Sequence, residues 1–357
     1  MKIRFYIISF LVICLFACTS DDSSSERSPI LAKFILPYNN TSFQKGKDLP
    51  VEIEFESVED LESVKLFTRD TIYFEGSPQK KKLDFQLSTT NWRLGTKQIS
   101  LEVVPKSGKK RTLKRMVRVL SDIYPADYIA EVIEVFPHKK SSYTQGLEFD
   151  NGNLYEGTGG MGSRGGESRI SKVDYKTGEI LKRKRLDDEY FGEGITIFGD
   201  KIYQLTWQQN VCFVYDKNTF EKINEFSYSG EGWGLCNNGT HLIMSDGTER
   251  LYFRDPSNFA LLKTIEVYSN SGPMKMLNEL EYINGKIYAN IYQTNNIAVI
   301  DPQSGAVEKL IDLSMIALEY REDGDVLNGI AYHEETERIF VTGKNWPSLL
   351  HVEFVEQ

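Results

Sequence analysis

Two regimes of hydrophobic and polar alternation divide the chain. From about Ile30 to Ser121, short segments alternate with period two: VEIEFES, SVKLFTR, KLDFQLS, KQISLEVV and KRMVRVLS. A strand that is apolar at every second position can bury one face and solvate the other. Several such strands, separated by turns rich in Gly, Asn, Asp, Ser and Lys, predict a small antiparallel β-sandwich over residues 30–121. Nothing in it carries chemistry, and it reads as a spacer or docking module. SDIYPADY follows as a linker, with Pro125 at the boundary.

From about Tyr128 the chain repeats itself. A strand begins at GNLYEGTG, DKIYQLTW, THLIMSDG, GKIYANIY and ERIFVTGK. A second strand follows, carrying Asp174, Asp216, Asp255 or Asp301, then a polar turn and a third strand such as ILKRKRL or VEKLIDL. The Asp residues of these turns have a structural reading, because an Asp side chain caps a turn through nearby backbone N–H groups. No long stretch shows the 3.6-residue period of a helix. Repeats of roughly 40–50 residues built from short strands predict propeller blades. There are five starts, and the last copy runs out at HVEFVEQ after its second strand. YIAEVIEVFPH, ahead of the first copy, can supply the missing strand and close the ring. The expected architecture is all-β: a five-bladed β-propeller over 128–357 preceded by the sandwich.

The chain's 357 residues suffice for two domains, one with a large core. A net charge of −9 and a pI near 5.2 argue against nucleic acid as a partner. The short basic clusters at Lys80–Lys82 and Lys182–Arg185 read as solvated strand faces. At the N-terminus, Lys2 and Arg4 precede an apolar run from Phe5 to Phe16, too short for a membrane span and shaped like a secretory signal. Its Leu15-Phe16-Ala17-Cys18 ending resembles the bacterial lipobox. That resemblance implies a signal peptide over 1–18, Cys18 as the lipidated first residue, and a flexible tether over 19–29. The expected location is the cell envelope, periplasmic or on the outer-membrane surface, with the membrane engaged only through the lipid. Cys14 falls in the signal, and Cys212 and Cys236, in successive repeats, read as separate buried thiols.

One stretch concentrates candidate chemistry. FGEGITIFGDKIYQLTW places Glu193 between two glycines beside Phe191, then runs into a strand ending in Gln204 and Trp207. A carboxylate flanked by Gly suits neither strand nor helix and marks a sharp turn or a close approach. In a propeller, residues at the same place in different repeats face one another across the channel. The corresponding positions are YTQG (143–146), FGEG (191–194), EGWG (231–234), LNELE (277–281) and VLNG (326–329). A second layer, Trp207, Asp246, Tyr292 and Lys344, is expected at the other end of the strands.

YTQGLE, FGEGIT, IYQLTW, EGWGL, LIMSDG, LNELE, DVLNGIAY and VTGKNWP, in that order, resemble the plant and bacterial glutamine cyclotransferases, which are five-bladed propellers. The match spans roughly Tyr143 to Pro347. In the sandwich, GTKQISLEVVPKSGKKRTLKRMVRV resembles the last two strands of immunoglobulin-like modules of bacterial surface proteins and, having no Cys pair, the disulfide-free versions. Membership implies an aminoacyltransferase that turns N-terminal glutaminyl residues of peptides into pyroglutamyl with release of ammonia, without a catalytic zinc. His138, His241, His333 and His351 are scattered, without ligand-like spacing. No cofactor is expected for catalysis, the chain is expected to be monomeric, and the sequence leaves open a structural cation on the axis.

Carried over residue by residue, the resemblance implies a catalytic set of Glu193, Asn278 and Lys344. Glu193 would take a proton from the substrate amine and give it to ammonia. Asn278 and Lys344 would stabilise the amide oxygen. Tyr143, Gln145, Phe191, Trp207, Trp233 and Tyr292 would bind substrate. Tyr143 stands where Phe is common and Tyr292 where Trp is usual, which bears on specificity. The competing reading is a propeller without turnover that binds peptide N-termini or another surface ligand. Glu279, Glu281 and Asp246 are assigned to polar contacts around the ring.

Overall fold

The computed structural model describes residues 31–162 and 166–357, so the expected signal peptide over 1–18, Cys18 and the expected tether over 19–29 lie outside the described residues. The first unit contains β1 (Ala32–Leu36), β2 (Thr41–Gln44), β3 (Leu49–Phe55), β4 (Leu61–Phe67), β5 (Ile72–Gly76), β6 (Lys82–Leu87), β7 (Gly95–Pro105) and β8 (Arg111–Leu120). They form two sheets, ordered β1-β3-β6 and β2-β8-β7-β4-β5. Alternation does the folding work here. In β3, Leu49, Val51, Ile53 and Phe55 turn inward and meet Ile99, Leu101 and Val103 of β7 in one core between the sheets. The pattern in the sequence missed β1, β2 and β5, which are short, and β5 has no fully buried residue.

The second unit begins with β9 (Ala126–Pro137). Four sets of strands follow: β10 (Thr144–Asp150), β11 (Asn153–Gly162), β12 (Gly166–Asp174) and β13 (Glu179–Arg185); β14 (Gly192–Phe198), β15 (Lys201–Thr206), β16 (Val211–Asp216) and β17 (Lys222–Ser227); β18 (Leu235–Asn237), β19 (Leu242–Ser245), β20 (Arg250–Arg254) and β21 (Leu261–Glu266); β22 (Leu277–Ile283), β23 (Lys286–Ile291), β24 (Asn296–Ile300) and β25 (Val307–Asp312). A short helix, α1 (Ser314–Tyr320), leads to β26 (Leu327–His333), β27 (Arg338–Gly343) and β28 (Ser348–Glu356). The helix was not expected from the sequence; at seven residues it is too short to display a period.

Three sheets are four-stranded meanders in chain order, β10 to β13, β14 to β17 and β18 to β21. The remaining strands share one eight-stranded sheet, because β9 pairs along most of its length with β28 and, at its start, with β25. The segment before the first repeat therefore completes the last sheet as its outer strand. Two details of the repeat differ from the sequence reading. Each set starts one strand earlier than expected, at β10, β14, β18, β22 and β26, and HVEFVEQ belongs to the third strand of its set, not the second. Polar starts such as TQG and LNELE hide these first strands from a hydrophobicity pattern.

The first strands touch in cyclic order, β10 to β14, β18, β22, β26 and back to β10. Their glycines make that approach feasible. A methyl on Gly194 would meet Leu235 N at 2.5 Å and Trp233 O at 2.6 Å, and one on Gly234 would collide with the Asn278 carbonyl. Carboxylates complete the ring. Glu279 accepts N–H bonds from Leu147 (3.2 Å) and Ile330 (2.9 Å), Glu281 accepts from Tyr332 N (2.8 Å), and Glu148 accepts from Ile197 N (3.1 Å). The structural role assigned to Glu279 and Glu281 thus has a definite form. Asp246 likewise binds Thr248 and Tyr252. Asp174, Asp216, Asp255 and Asp301 accept from backbone N–H groups two or three residues ahead, as turn caps. Cys212 and Cys236 are buried and free.

The axial carboxyls make stability pH-dependent. Burial pushes Glu148 up to about 8. Burial also raises Glu279, as does the charge of Glu148, while both of those charges add to burial in raising Glu281. The folded state then holds these protons more tightly than the unfolded chain. Their contributions are favourable at low pH and are lost as pH rises above about 4.3, the unfolded value, that of Glu148 as pH passes through about 8. Glu148→Gln should flatten this decline and raise the melting temperature at pH 8. An unchanged pH dependence of Tm would show that Glu148 does not titrate there.

The two units meet through Leu94 and Val119 of the first and Tyr268 and Ala306 of the second. Ser121 N donates to Ser269 O at 3.1 Å beside them.

Candidate active site

Antiparallel pairing explains why residues far apart in sequence reach one cavity. The start of a set's first strand lies beside the end of its second: Gly192 pairs with Thr206, Leu277 with Ile291 and Leu327 with Gly343. Residues just inside or before a first strand (Gln145, Glu193, Trp233, Asn278) therefore share a rim with residues just after a second strand (Trp207, Tyr292, Lys344). Trp207 is not at the far end from Glu193, as the sequence suggested. Its N–H donates to Phe191 O at 3.0 Å, and the supposed second layer belongs to the same rim.

The cavity occupies about 260 Å³ and is lined by Tyr143, Gln145, Phe191, Glu193, Trp207, Trp233, Asn278, Tyr292 and Lys344. These are the nine residues that the resemblance implied for the propeller, all brought together. Cys18 lies outside the described residues. The space is small for a pocket, and it suits a side chain such as glutamine with the rest of a peptide left outside. It is not the largest hollow on the surface. A groove of about 480 Å³ beside β25 and β28 is larger, but none of the nine faces it.

Glu193 is 5 % exposed, and burial holds its carboxyl well above the usual range. The Lys344 charge pulls it down and the Glu231 charge pushes it further up. Gln145 Nε2 donates to Glu193 Oε1 at 3.2 Å, and Asn328 Nδ2 donates to Gln145 Oε1 at 3.3 Å, fixing the amide between them. Lys344 is 3 % exposed. Burial lowers its ammonium, while Glu193 and Asp325 act in the other direction. Its Nζ lies 4.7 Å from the Tyr143 ring centroid and 4.8 Å from that of Tyr292, two faces that favour a cation. Both Tyr departures from the usual pattern therefore cradle this lysine. Tyr143 finds a hydroxyl partner in Asp325 at 3.2 Å.

Asn278 is buried, and its Oδ1 has no hydrogen-bond partner. A buried amide left unsatisfied is costly unless a ligand completes it. It does not cap a turn. The walls are aromatic: Phe191 meets Tyr143 and Trp207 edge-on, and Trp233 meets Tyr292 edge-on at 5.5 Å. Three residues that the sequence reading gave no role stand behind the nine: Asn328 orients Gln145, Asp325 holds Tyr143, and Glu231 bonds both tryptophans. Asn328 and Glu231 sit in motifs singled out by position, but only their contacts reveal what they do.

A buried carboxyl of raised pKa and a buried cation between aromatic walls define a site that can move a proton and stabilise a developing oxyanion, and the unpartnered Asn278 Oδ1 can accept from a ligand N–H. Comparisons with known proteins agree with this chemistry. A family model for glutamine cyclotransferase matches residues 111–354. The chain is 39% identical over 228 residues to a glutaminyl-peptide cyclotransferase of Arabidopsis thaliana, covering 62% of this chain and 70% of that protein. The crystal structure of Myxococcus xanthus glutaminyl cyclase superposes with a TM-score of 0.60 at 34% identity, covering 65% of this chain and 99% of that one. The chain belongs to the glutamine cyclotransferase family.

Proposed function

We propose that the chain is a glutaminyl-peptide cyclotransferase, an acyltransferase that closes the N-terminal glutamine of a peptide or protein into pyroglutamate and releases ammonia. The observation that carries the reading is the convergence of Glu193, Asn278 and Lys344 on one cavity of side-chain size in a member of this family. The α-amine attacks the γ-amide carbon, a C–N bond forms, and the bond to the amide nitrogen breaks. Glu193 takes the proton that the amine sheds and delivers it to the leaving nitrogen, so no water is consumed. Burial holds the Glu193 carboxyl above its ordinary range, which makes it a stronger base towards the amine's proton than a solvated carboxylate. Asn278 and Lys344 meet the oxyanion, Gln145 holds the base, and the aromatic walls keep water out. A pure binder has no need of a proton shuttle.

Proton transfer and oxyanion stabilisation are both assigned to side chains, so the reaction is proposed to run without a metal. The test is ammonia release from a Gln-initiated dipeptide by the full chain, with and without chelator. Steady release, unchanged by the chelator, is expected. No release would refute the activity, and strong inhibition by chelator would refute the metal-free mechanism.

The cyclic contact of the five first strands supports a five-bladed β-propeller, and the two-sheet core of the first unit supports an immunoglobulin-like sandwich. We extend the proposal to a monomer held at the cell envelope by lipid on Cys18, with peptide N-termini as its partners. Incorporation of labelled lipid that disappears in Cys18→Ala is the expected result.

A further inference from the structure

Glu231 does not line the cavity, yet both tryptophan walls end on it. Trp207 Nε1 donates to Glu231 Oε2 at 2.8 Å and Trp233 Nε1 to the same oxygen at 3.0 Å, while Gln208 Nε2 donates to Oε1 at 3.1 Å. The tryptophans come from different sheets: Trp207 follows β15 and Trp233 precedes β18. A backbone bond runs parallel to this link, from Gly232 N to Trp207 O at 3.0 Å. An indole has a single donor, so each ring has committed its N–H behind the wall and offers substrate only its face. Trp207 is the least buried of the nine, at 37 % exposed, and among the described residues its side chain has one aromatic neighbour, Phe191. Packing alone therefore holds it weakly.

Three donors converging on one side chain call for an acceptor without hydrogens of its own. An ionised carboxylate meets that demand, whereas an amide turns one of its two ends into a donor. Burial pushes the Glu231 carboxyl up, but the bonds from Trp233, Gln208 and Trp207 together bring it below its ordinary value.

We propose that Glu231 is a positioning residue of the cyclotransferase site, a carboxylate clamp that sets the two indole walls at the separation which admits one glutamine side chain. This rests on the activity proposed above. Glu231 has a second consequence through its charge. Glu193 is faced by Lys344 and Glu231 as charges and by the neutral hydroxyls of Tyr143 and Tyr228. Removing the Glu231 charge should therefore let Glu193 ionise at lower pH.

The experiment compares Glu231→Gln, Glu231→Asp and Trp207→Phe in the full chain with a Gln-initiated dipeptide. KM, kcat and the acid limb of kcat/KM against pH are recorded, together with dipeptide affinity from indole fluorescence, which needs no turnover. Glu231→Gln should raise KM about 10-fold to 100-fold, the scale of a lost charge-assisted bond, with kcat little changed and the acid limb moved to lower pH. Glu231→Asp keeps the charge but shortens the reach, so KM should rise while the limb stays in place. Trp207→Phe keeps the wall and removes one donor, so adding Glu231→Gln to it should cost less than in the wild type. Wild-type KM and affinity in Glu231→Gln, or strictly additive effects in the double variant, would overturn the clamp. Absence of ammonia release by the wild-type protein would instead refute the activity, with the fluorescence affinities still deciding the clamp.

Discussion

Glu193→Gln should reduce turnover of a Gln-initiated dipeptide by about 10²–10⁴-fold, the usual share of a positioned acid–base group, and leave the fold intact. Glutamine keeps the shape and can still bond the Gln145 side chain, which approaches Glu193 Oε1 at 3.2 Å. What it loses is the ability to accept the amine's proton and pass it on. The variant should also melt at a higher temperature near neutral pH, because burial disfavours the ionised carboxyl that it replaces. Activity and stability thus move in opposite directions, a combination that damage to the fold cannot produce. The wild-type acid limb of kcat/KM should lie above the ordinary carboxylate range for the same reason. Unchanged kcat in Glu193→Gln would show that the proton travels another way.

The second large effect is expected at the oxyanion. Lys344→Met and Asn278→Ala should each lower kcat by about 10²–10³-fold, the scale for removing one preorganised donor. Lys344 is 3 % exposed and stands over the Tyr143 and Tyr292 rings, so its position is set before substrate arrives. Methionine keeps the packing against those rings and removes the charge. Without Lys344 the Glu193 carboxyl should also rise further, since the ammonium is the charge that pulls it down, and the acid limb should move to higher pH. Asn278→Ala lacks this electrostatic link and should leave the limb in place. A kcat loss in both variants with a limb shift in only one separates the two roles.

Much of the site was legible because a repeat places equivalent residues around a common axis. Once YTQG, FGEG, EGWG and LNELE are read as equivalent, Gln145, Glu193, Trp233 and Asn278 must gather. What the repeat does not state is strand direction. Trp207 was assigned to the opposite end of its strand, whereas pairing of Gly192 with Thr206 folds it back beside Phe191. The first strands were hidden for a related reason. In β14 and β22 the buried side includes Glu193, Glu279 and Glu281, so burial and hydrophobicity part company there. Those acids are buried because backbone amides of neighbouring strands, or the cavity, receive them. No one-dimensional pattern contains such partners.

The same limit hid Glu231, Asp325 and Asn328. Each acts on a residue from another sheet or a distant loop, and an acid beside a glycine in a loop is ordinarily a solvated one. In the first unit, alternation located β3, β4, β6, β7 and β8 but not the short edge strands β1, β2 and β5, of which β2 and β5 have no fully buried position to set a period.

Product analysis of a Gln-initiated dipeptide incubated with the full chain tests the central claim most directly. The account predicts a pyroglutamyl dipeptide and ammonia in equal amounts, with no glutamyl dipeptide, because the attacking nitrogen is the substrate's own. Ammonia accompanied by glutamyl dipeptide would mean that water attacks instead, and an unaltered dipeptide would mean that the cavity binds without turnover. Either result would contradict the account.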